Sequence, residues 1–290
     1  MAWQGRVATA IDSRRTLAGA ALAAVGAAGL LFAFATRSGA ASQPSLTVHL
    51  PPAATDRIYA LPSARGRPIV VIDAGHGGRD PGANSVSGEI AEKDLALALA
   101  RELRDDLVKR GRVRVAMTRD DDRYLTLEDR AAVARRLNAG LFVSLHVDSA
   151  PNSLARGASV YSLSDVASDA EAARFAASEN RQGGVVVGAG EPVQALLADL
   201  AMRSQMTASA DLAARLVNKS AGLFELRPQP HRFAAFHVLK RAETAAVLFE
   251  AGYISNVDDE ALLRDPKHRS AIALALAQAI EADVAARARH

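Results

Sequence analysis

The chain contains no cysteine. Disulfide scaffolds, thiolate zinc sites and Cys nucleophiles are therefore excluded, and any catalytic metal has to sit on His, Asp or Glu. A strong charge of one sign is also missing, with 35 Lys and Arg against 32 Asp and Glu, a net +3. That balance argues against nucleic acid as a partner, while a pI of about 9.4 leaves contact with an anionic polymer open. No internal repeat is visible, and 290 residues fit one or two domains. Apolar residues at 49% and charged residues at 23% suit a chain that buries a core, so neither a disordered chain nor a multi-span membrane protein fits.

The longest uncharged stretch is Thr16 to Thr36, 21 positions rich in Ala, Gly, Leu and Phe. Arg6, Arg14 and Arg15 precede it, Arg37 follows it, and small residues come next at Ser38, Gly39, Ala40 and Ala41. This is the layout of an export signal: basic n-region, apolar h-region, small-residue cleavage site. The run is also long enough to span a bilayer, so cleavage and an inner-membrane anchor both remain open. Ser13-Arg14-Arg15-Thr16-Leu17 resembles a twin-arginine signal, and the pair equally suits an ordinary n-region. Residues 1–41 are read as the signal or anchor. Ser42 to Arg67, with four prolines and no sustained period, are read as a linker too short to be a wall-targeting domain.

From Pro68 onward, β-branched runs alternate with helical patterns. Ile69–Ile72, Val113–Met117, Leu141–Leu145, Ala158–Leu163 and Ala245–Phe249 read as strands. Glu92–Arg110 reads as a helix, with Leu95, Leu99, Leu103 and Leu107 on one stripe and Gly111 as its stop. Thr126 with Asp129 opens a second helix through a loose capping box, and Ser270–Arg287 closes the chain as a helix. The alternation predicts an α/β fold with a mostly parallel sheet flanked by helices, in one domain over 68–290. Residues from about 165 to 205 break the rhythm with two helix-like stretches around Gly183-Gly184 and Gly188-Ala189-Gly190, and are read as a helical insertion.

In open parallel sheets, ligands bind beyond the carboxyl ends of the strands. His76, His146 and Glu250 fall at or just past such ends, and Glu92 opens the first helix. Two imidazoles and one carboxylate make the usual three-ligand set of a catalytic zinc, and a further carboxylate can take the proton from a water. Each residue also has a plainer reading: His76 in a Gly-rich turn, Glu92 as a first-turn carboxylate, His146 and Glu250 as satisfied polar groups at strand ends. The spacing is not that of the His-Glu-x-x-His helix, so spacing alone leaves metal site and scattered polar residues both standing.

The segment Ile72-Asp73-Ala74-Gly75-His76-Gly77-Gly78-Arg79-Asp80-Pro81-Gly82-Ala83 resembles the opening signature of zinc-dependent N-acetylmuramoyl-L-alanine amidases of the amidase-3 type. The resemblance continues at Gly88, at Glu92-Lys93-Asp94, at Ser144-Leu145-His146-Val147-Asp148-Ser149 and from Val247 to Asn256. It spans roughly residues 68–285. It implies one Zn2+ per chain on His76, Glu92 and His146, and Glu250 as the catalytic glutamate. The substrate it implies is peptidoglycan, cut between N-acetylmuramic acid and the L-alanine of the stem peptide. Asp73 is a candidate to orient a ligating imidazole. His231 and His237 are left outside the site, and the stretch before Glu250 lacks a proline often seen in relatives.

Division-associated members of the family, to which this chain is similar, carry a helical insertion that covers the active site until an activator displaces it. By that resemblance, 165–205 is expected to be autoinhibitory, with Glu179, or else Glu171, filling the open zinc position and a LytM-type protein as activator. Either glutamate also reads as the solvated face of a surface helix. The expected setting is the periplasm during daughter-cell separation, with membrane contact only if the signal is not cleaved. A non-enzymatic wall-binding protein and a zinc peptidase acting within stem peptides are the competing readings.

Overall fold

Short β-branched runs bounded by Gly and Pro assemble into one sheet. In a computed structural model that describes residues 56–181 and 192–289, its strands are β1 (Ile58–Tyr59), β2 (Ile69–Ala74), β3 (Arg114–Met117), β4 (Leu141–Asp148), β5 (Ala158–Leu163), β6 (Leu226–Ala234) and β7 (Ala245–Tyr253). The spatial order is β1-β3-β2-β4-β7-β5-β6. β3, β2, β4 and β7 run parallel, β1 is antiparallel to β3, and the β5–β6 pair runs antiparallel to β7. The fold is thus α/β with a mostly parallel sheet, as the alternation predicts. The export signal, the linker up to residue 55 and the glycines at 183–184 and 188–190 lie outside the described residues.

Helices cover both faces: α1 (Glu92–Arg110), α2 (Leu127–Arg136), α3 (Ala170–Asn180), α4 (Pro192–Ser220), α5 (His237–Arg241), α6 (Val257–Arg264) and α7 (Pro266–Arg287). The leucine stripe of α1 is fully sequestered against Val70, Val143 and Val247, together with Leu212 and Leu216 of α4 and Ile272 and Ile280 of α7. The opposite face packs Val71, Phe142 and Leu248 against α2, α3 and α5. Alternation along each strand sorts these two sets, because successive side chains point to opposite faces. α1 stops where Gly111 turns left-handed, φ 65°, and donates its N–H to Leu107 O. Thr126 and Asp129 form the full reciprocal capping box at the start of α2.

Three segments differ from expectation. Residues 226–234 are not among the strands the pattern predicts, yet Leu-Arg-Pro-Gln-Pro-His-Arg-Phe-Ala is β6. Pro228 and Pro230 hide it from pattern reading, and a strand with missing N–H donors is tolerated because β6 is an edge. The tail of the expected linker contributes β1. The insertion does not end at 205: α4 continues to Ser220, with Leu212, Ala213 and Leu216 fully buried in the core. Of the described residues of the insertion, those that line the cleft beside His76 belong to α3 or are Arg181 just after it.

Candidate metal centre

The carboxyl ends of β2, β4 and β7 bring the chemistry together. β2 ends at Ala74, and His76 follows in a left-handed conformation, φ 56°. Such a φ is uncommon for a residue with a Cβ and has to be held by its surroundings. Arg130, almost completely buried, holds it: its guanidinium donates to the carbonyls of Ala74 and His76, both at 2.6 Å, and to Asp73 Oδ1 at 2.9 Å. Arg119, also buried, donates to Ala74 O, Gly75 O and Lys93 O, which ties the turn to the first residues of α1. Burial and the neighbouring charge of Arg130 pull the Arg119 guanidinium down to about 10.

Glu92, at the first position of α1, is buried between the two histidines. Its Oε1 lies 3.0 Å from His76 Nε2 and 3.0 Å from His146 Nδ1. Val147 N–H donates to the same oxygen and Ala83 N–H to Oε2, fixing the carboxylate in place. Glu179, near the end of α3, points its Oε2 at the same nitrogens, 3.9 Å from His76 Nε2 and 3.7 Å from His146 Nδ1. Among the described residues, ligand atoms of His76, His146 and Glu179 all fall within 4.8 Å of one another, so either glutamate completes a three-donor group. Glu92 is the nearer of the two. Asn180 pins that end of α3, donating to Ala235 O and accepting from His237 N–H.

The donor set fits zinc: two imidazole nitrogens and a carboxylate oxygen converge from the sheet edge, with no thiolate required. The turn is shaped around it. A Cβ on Gly75 would lie 2.5–2.7 Å from three atoms of the His146 ring, and one on Gly82 would lie 2.5 Å from Glu92 Oε2. The electrostatics point the same way. Burial opposes charge on His76, but Glu92, Asp80 and Glu179 more than offset it and raise the imidazole to about 10. A pocket that drives a buried imidazole to hold a proton is one that attracts a cation.

Glu250 lies beside His146 in the register of β4 and β7. It is completely buried, and neither carboxylate oxygen has a hydrogen-bond partner among the described residues. Burial, and then the charges of Asp148, Glu92 and Glu179, push its pKa well above the usual carboxylate value. Asp148, on the wall of the cleft beside His76, is pushed up to about 7, chiefly by burial. The cleft has a volume of about 770 Å³ and is lined by His76, Glu92, Asp148, Phe175, Glu179 and Arg227, among others.

Two expected positions need correction. Asp73 touches neither imidazole. Its oxygens are taken by Thr118, Ser144 and Arg130, which hold it ionised despite burial, so it acts on the turn only through Arg130. Asp80 takes the expected place, with Oδ2 3.0 Å from His76 Nδ1. Its position four residues after His76 was the available signal. Glu171 does not reach the histidines and pairs instead with Arg227 and Arg232. His231 faces Ser162, away from the cluster. Replacing Asp80 by Ala is expected to weaken zinc binding by about 10- to 100-fold, as loss of the partner of a ligating imidazole does. Competition titration with a chromogenic chelator measures this, and unchanged affinity contradicts the assignment.

A profile of N-acetylmuramoyl-L-alanine amidases matches residues 70–282. The chain is 32% identical to AmiA of Escherichia coli K12, over 78% of this chain and 80% of that protein. It is 33% identical to AmiC of Escherichia coli O6:H1 over 76% of this chain, and spans about half of that longer relative (54%). Among solved structures, the catalytic domain of CwlV, an N-acetylmuramoyl-L-alanine amidase of Bacillus (Paenibacillus) polymyxa var. colistinus, superposes with a TM-score of 0.53 and 28% identity, covering 73% of this chain and 96% of that domain. The site built at the ends of β2, β4 and β7 thus lies within a sequence match that runs nearly the length of the domain, and the chain belongs to the N-acetylmuramoyl-L-alanine amidase family of peptidoglycan amidases.

Proposed function

We propose that this protein hydrolyses the amide between the lactyl group of N-acetylmuramic acid and the L-alanine of the stem peptide. The observation that carries the reading is the convergence of His76 Nε2, His146 Nδ1 and Glu92 Oε1 beside the buried, unpartnered carboxylate of Glu250. His76, Glu92 and His146 would hold one zinc ion, which when bound would supply a Lewis acid for the amide carbonyl and for the attacking water. Glu250 accepts a proton from that water and delivers it to the L-alanine nitrogen as the C–N bond breaks, so that water is added across the amide. Asp80 orients His76, and Arg130 holds the backbone that carries it. The glycines at 75 and 82 leave room for backbone and ligands to approach.

The resting state is autoinhibited, with Glu179 of α3 lying where the substrate carbonyl and water have to come. The reading is supported by its two contacts of under 4 Å with the ligand nitrogens and by the position of α3 over the cleft. An activator of the LytM type, or another protein that binds α3, shifts the chain to an open state. The basic and apolar N-terminal segment supports export to the periplasm, and the family supports a role in wall remodelling and daughter-cell separation.

Release of soluble fragments from dye-labelled peptidoglycan tests the reading. Activity should vanish with a chelator and return with added zinc. Undiminished release after complete zinc removal would overturn the mechanism.

A further inference from the structure

The far end of α3 is held as specifically as the end at the histidines. Glu171 lies eight residues before Glu179 on the same helix face, a separation of about 12 Å along the axis. Its carboxylate receives Arg227 in a two-pronged contact, at 2.7 Å to Oε1 and 3.2 Å to Oε2. Arg232 donates to Oε2 at 3.3 Å, and the Tyr253 hydroxyl donates to Oε1 at 3.3 Å. Arg227 also contacts the Tyr253 hydroxyl, and Arg232 donates to the Tyr161 hydroxyl at 3.1 Å.

The three donors to Glu171 come from the sheet, Arg227 and Arg232 from β6 and Tyr253 from β7, and Tyr161 on β5 accepts from Arg232 behind them. Because β6 runs antiparallel to β7, its start reaches the same sheet edge as His76 and His146. The β5–β6 register shifts there, with Leu226 opposite Ala158 but His231 opposite Val160, and Arg227 follows Leu226 at the start of that shift. Arg227 lines the same cleft as His76, Glu92 and Glu179. A planar guanidinium meeting a carboxylate through two N–H groups is the geometry of carboxylate recognition.

We propose that Arg227, Arg232 and Tyr253 form a subsite for a free carboxylate of the stem peptide, and that Glu171 occupies it as a stand-in while α3 covers the site. The inference rests on the amidase reading and names how the substrate is gripped beyond L-alanine. Both acids of the α3 face then sit in positions the sheet provides for substrate, Glu179 at the reacting amide and Glu171 at the peptide carboxylate. The stem peptide is acidic beyond L-alanine. An extended chain covers roughly 10–11 Å in three residues, close to the roughly 12 Å that separates Glu179 from Glu171 along α3, which puts the recognised carboxylate on the second or third residue. Asp169 alone already fastens α3 to Arg232, so a cradle of three donors around Glu171 is more than a latch requires.

The test uses the full chain carrying Glu171→Gln, with Arg227 intact or changed to Gln or Lys. Soluble muramoyl tripeptides are offered with both carboxylates free, with the second residue amidated, or with the third amidated. With Arg227 intact, KM for one amidated substrate should rise about tenfold over the free acid, the loss of one charge-assisted pair, and the amide that raises it identifies the carboxylate. With Arg227→Gln that discrimination should fall within about twofold at similar kcat, and Arg227→Lys should restore part of it. Discrimination that persists in Arg227→Gln overturns the subsite. So does a latch-only result, in which Arg227→Gln in the otherwise natural chain raises turnover as much as Glu171→Gln and no substrate is distinguished. Calorimetry with the free tripeptide separates the two readings: Arg227-dependent binding without turnover keeps the subsite and defeats the amidase, whereas turnover with Arg227-independent binding does the reverse.

Discussion

Changing Glu250 to Gln is expected to lower kcat on peptidoglycan by on the order of 10³, within the range that a positioned proton-transfer group contributes. The zinc content should remain one per chain, because Glu250 lies beside the three proposed ligands and is not one of them. The physical basis is the condition of this carboxylate. It is completely buried on β7, has no hydrogen bond at either oxygen among the described residues, and is pushed up by burial and by Asp148, Glu92 and Glu179. Burying a carboxyl without partners costs several kcal/mol, and a position whose only role is structural would be filled by an apolar residue. The amide isostere keeps the shape and removes the proton acceptor. Steady-state kinetics alongside metal analysis reads both halves, and near-natural turnover with zinc bound would assign the proton transfer to another group, with Asp148 the first to examine.

Removing Glu179 should act in the opposite direction. Glu179→Ala is expected to raise the turnover of the intact chain about tenfold or more, which corresponds to a closed state favoured by about 1.4 kcal/mol or more. Its side chain is mostly buried, and burial raises its pKa despite the imidazoles beside it. That carboxylate sits where it is costly to hold unless a cation faces it. Asn180 and the aromatic contact of Phe175 with Tyr161 and Phe236, at centroid distances of 5.2 and 5.5 Å, keep the helix in place. Removing a single carboxylate leaves those contacts intact, so the variant stays folded. Equal turnover in Glu179→Ala and the natural chain would show that α3 does not block the reaction.

The parts of this account that were legible in the sequence are those with a local cause. The leucine stripe and Gly111 delimit α1 from Glu92 to Arg110, as the pattern predicts. Thr126 and Asp129 mark the start of α2, and the β-branched runs mark the central strands. His76, His146 and Glu250 could be placed at one edge because parallel strands put their carboxyl ends together. What was not legible depends on long-range partners. β6 carries two prolines and becomes a strand only because β5 offers it an edge. Arg119 and Arg130 look like surface charges in sequence, yet both are buried to hold carbonyls of the His76 turn. Asp73 was the nearer acid in the β2 run, but Asp80 reaches the imidazole, since the left-handed turn at His76 folds the chain back on itself. The choice between Glu171 and Glu179 likewise depends on Arg227 and Arg232, which arrive more than 45 residues later on a strand that the pattern concealed.

The most direct test of the central claim is mass spectrometry of the products released from purified peptidoglycan by the zinc-loaded Glu179→Ala chain. The account predicts stem peptides that begin with a free L-alanine amino group, together with glycan strands whose muramic acid ends in an unsubstituted lactyl carboxylate, and neither product from the Glu250→Gln chain. Peptides cut within the stem, or glycan fragments with the L-alanine still attached, would contradict it.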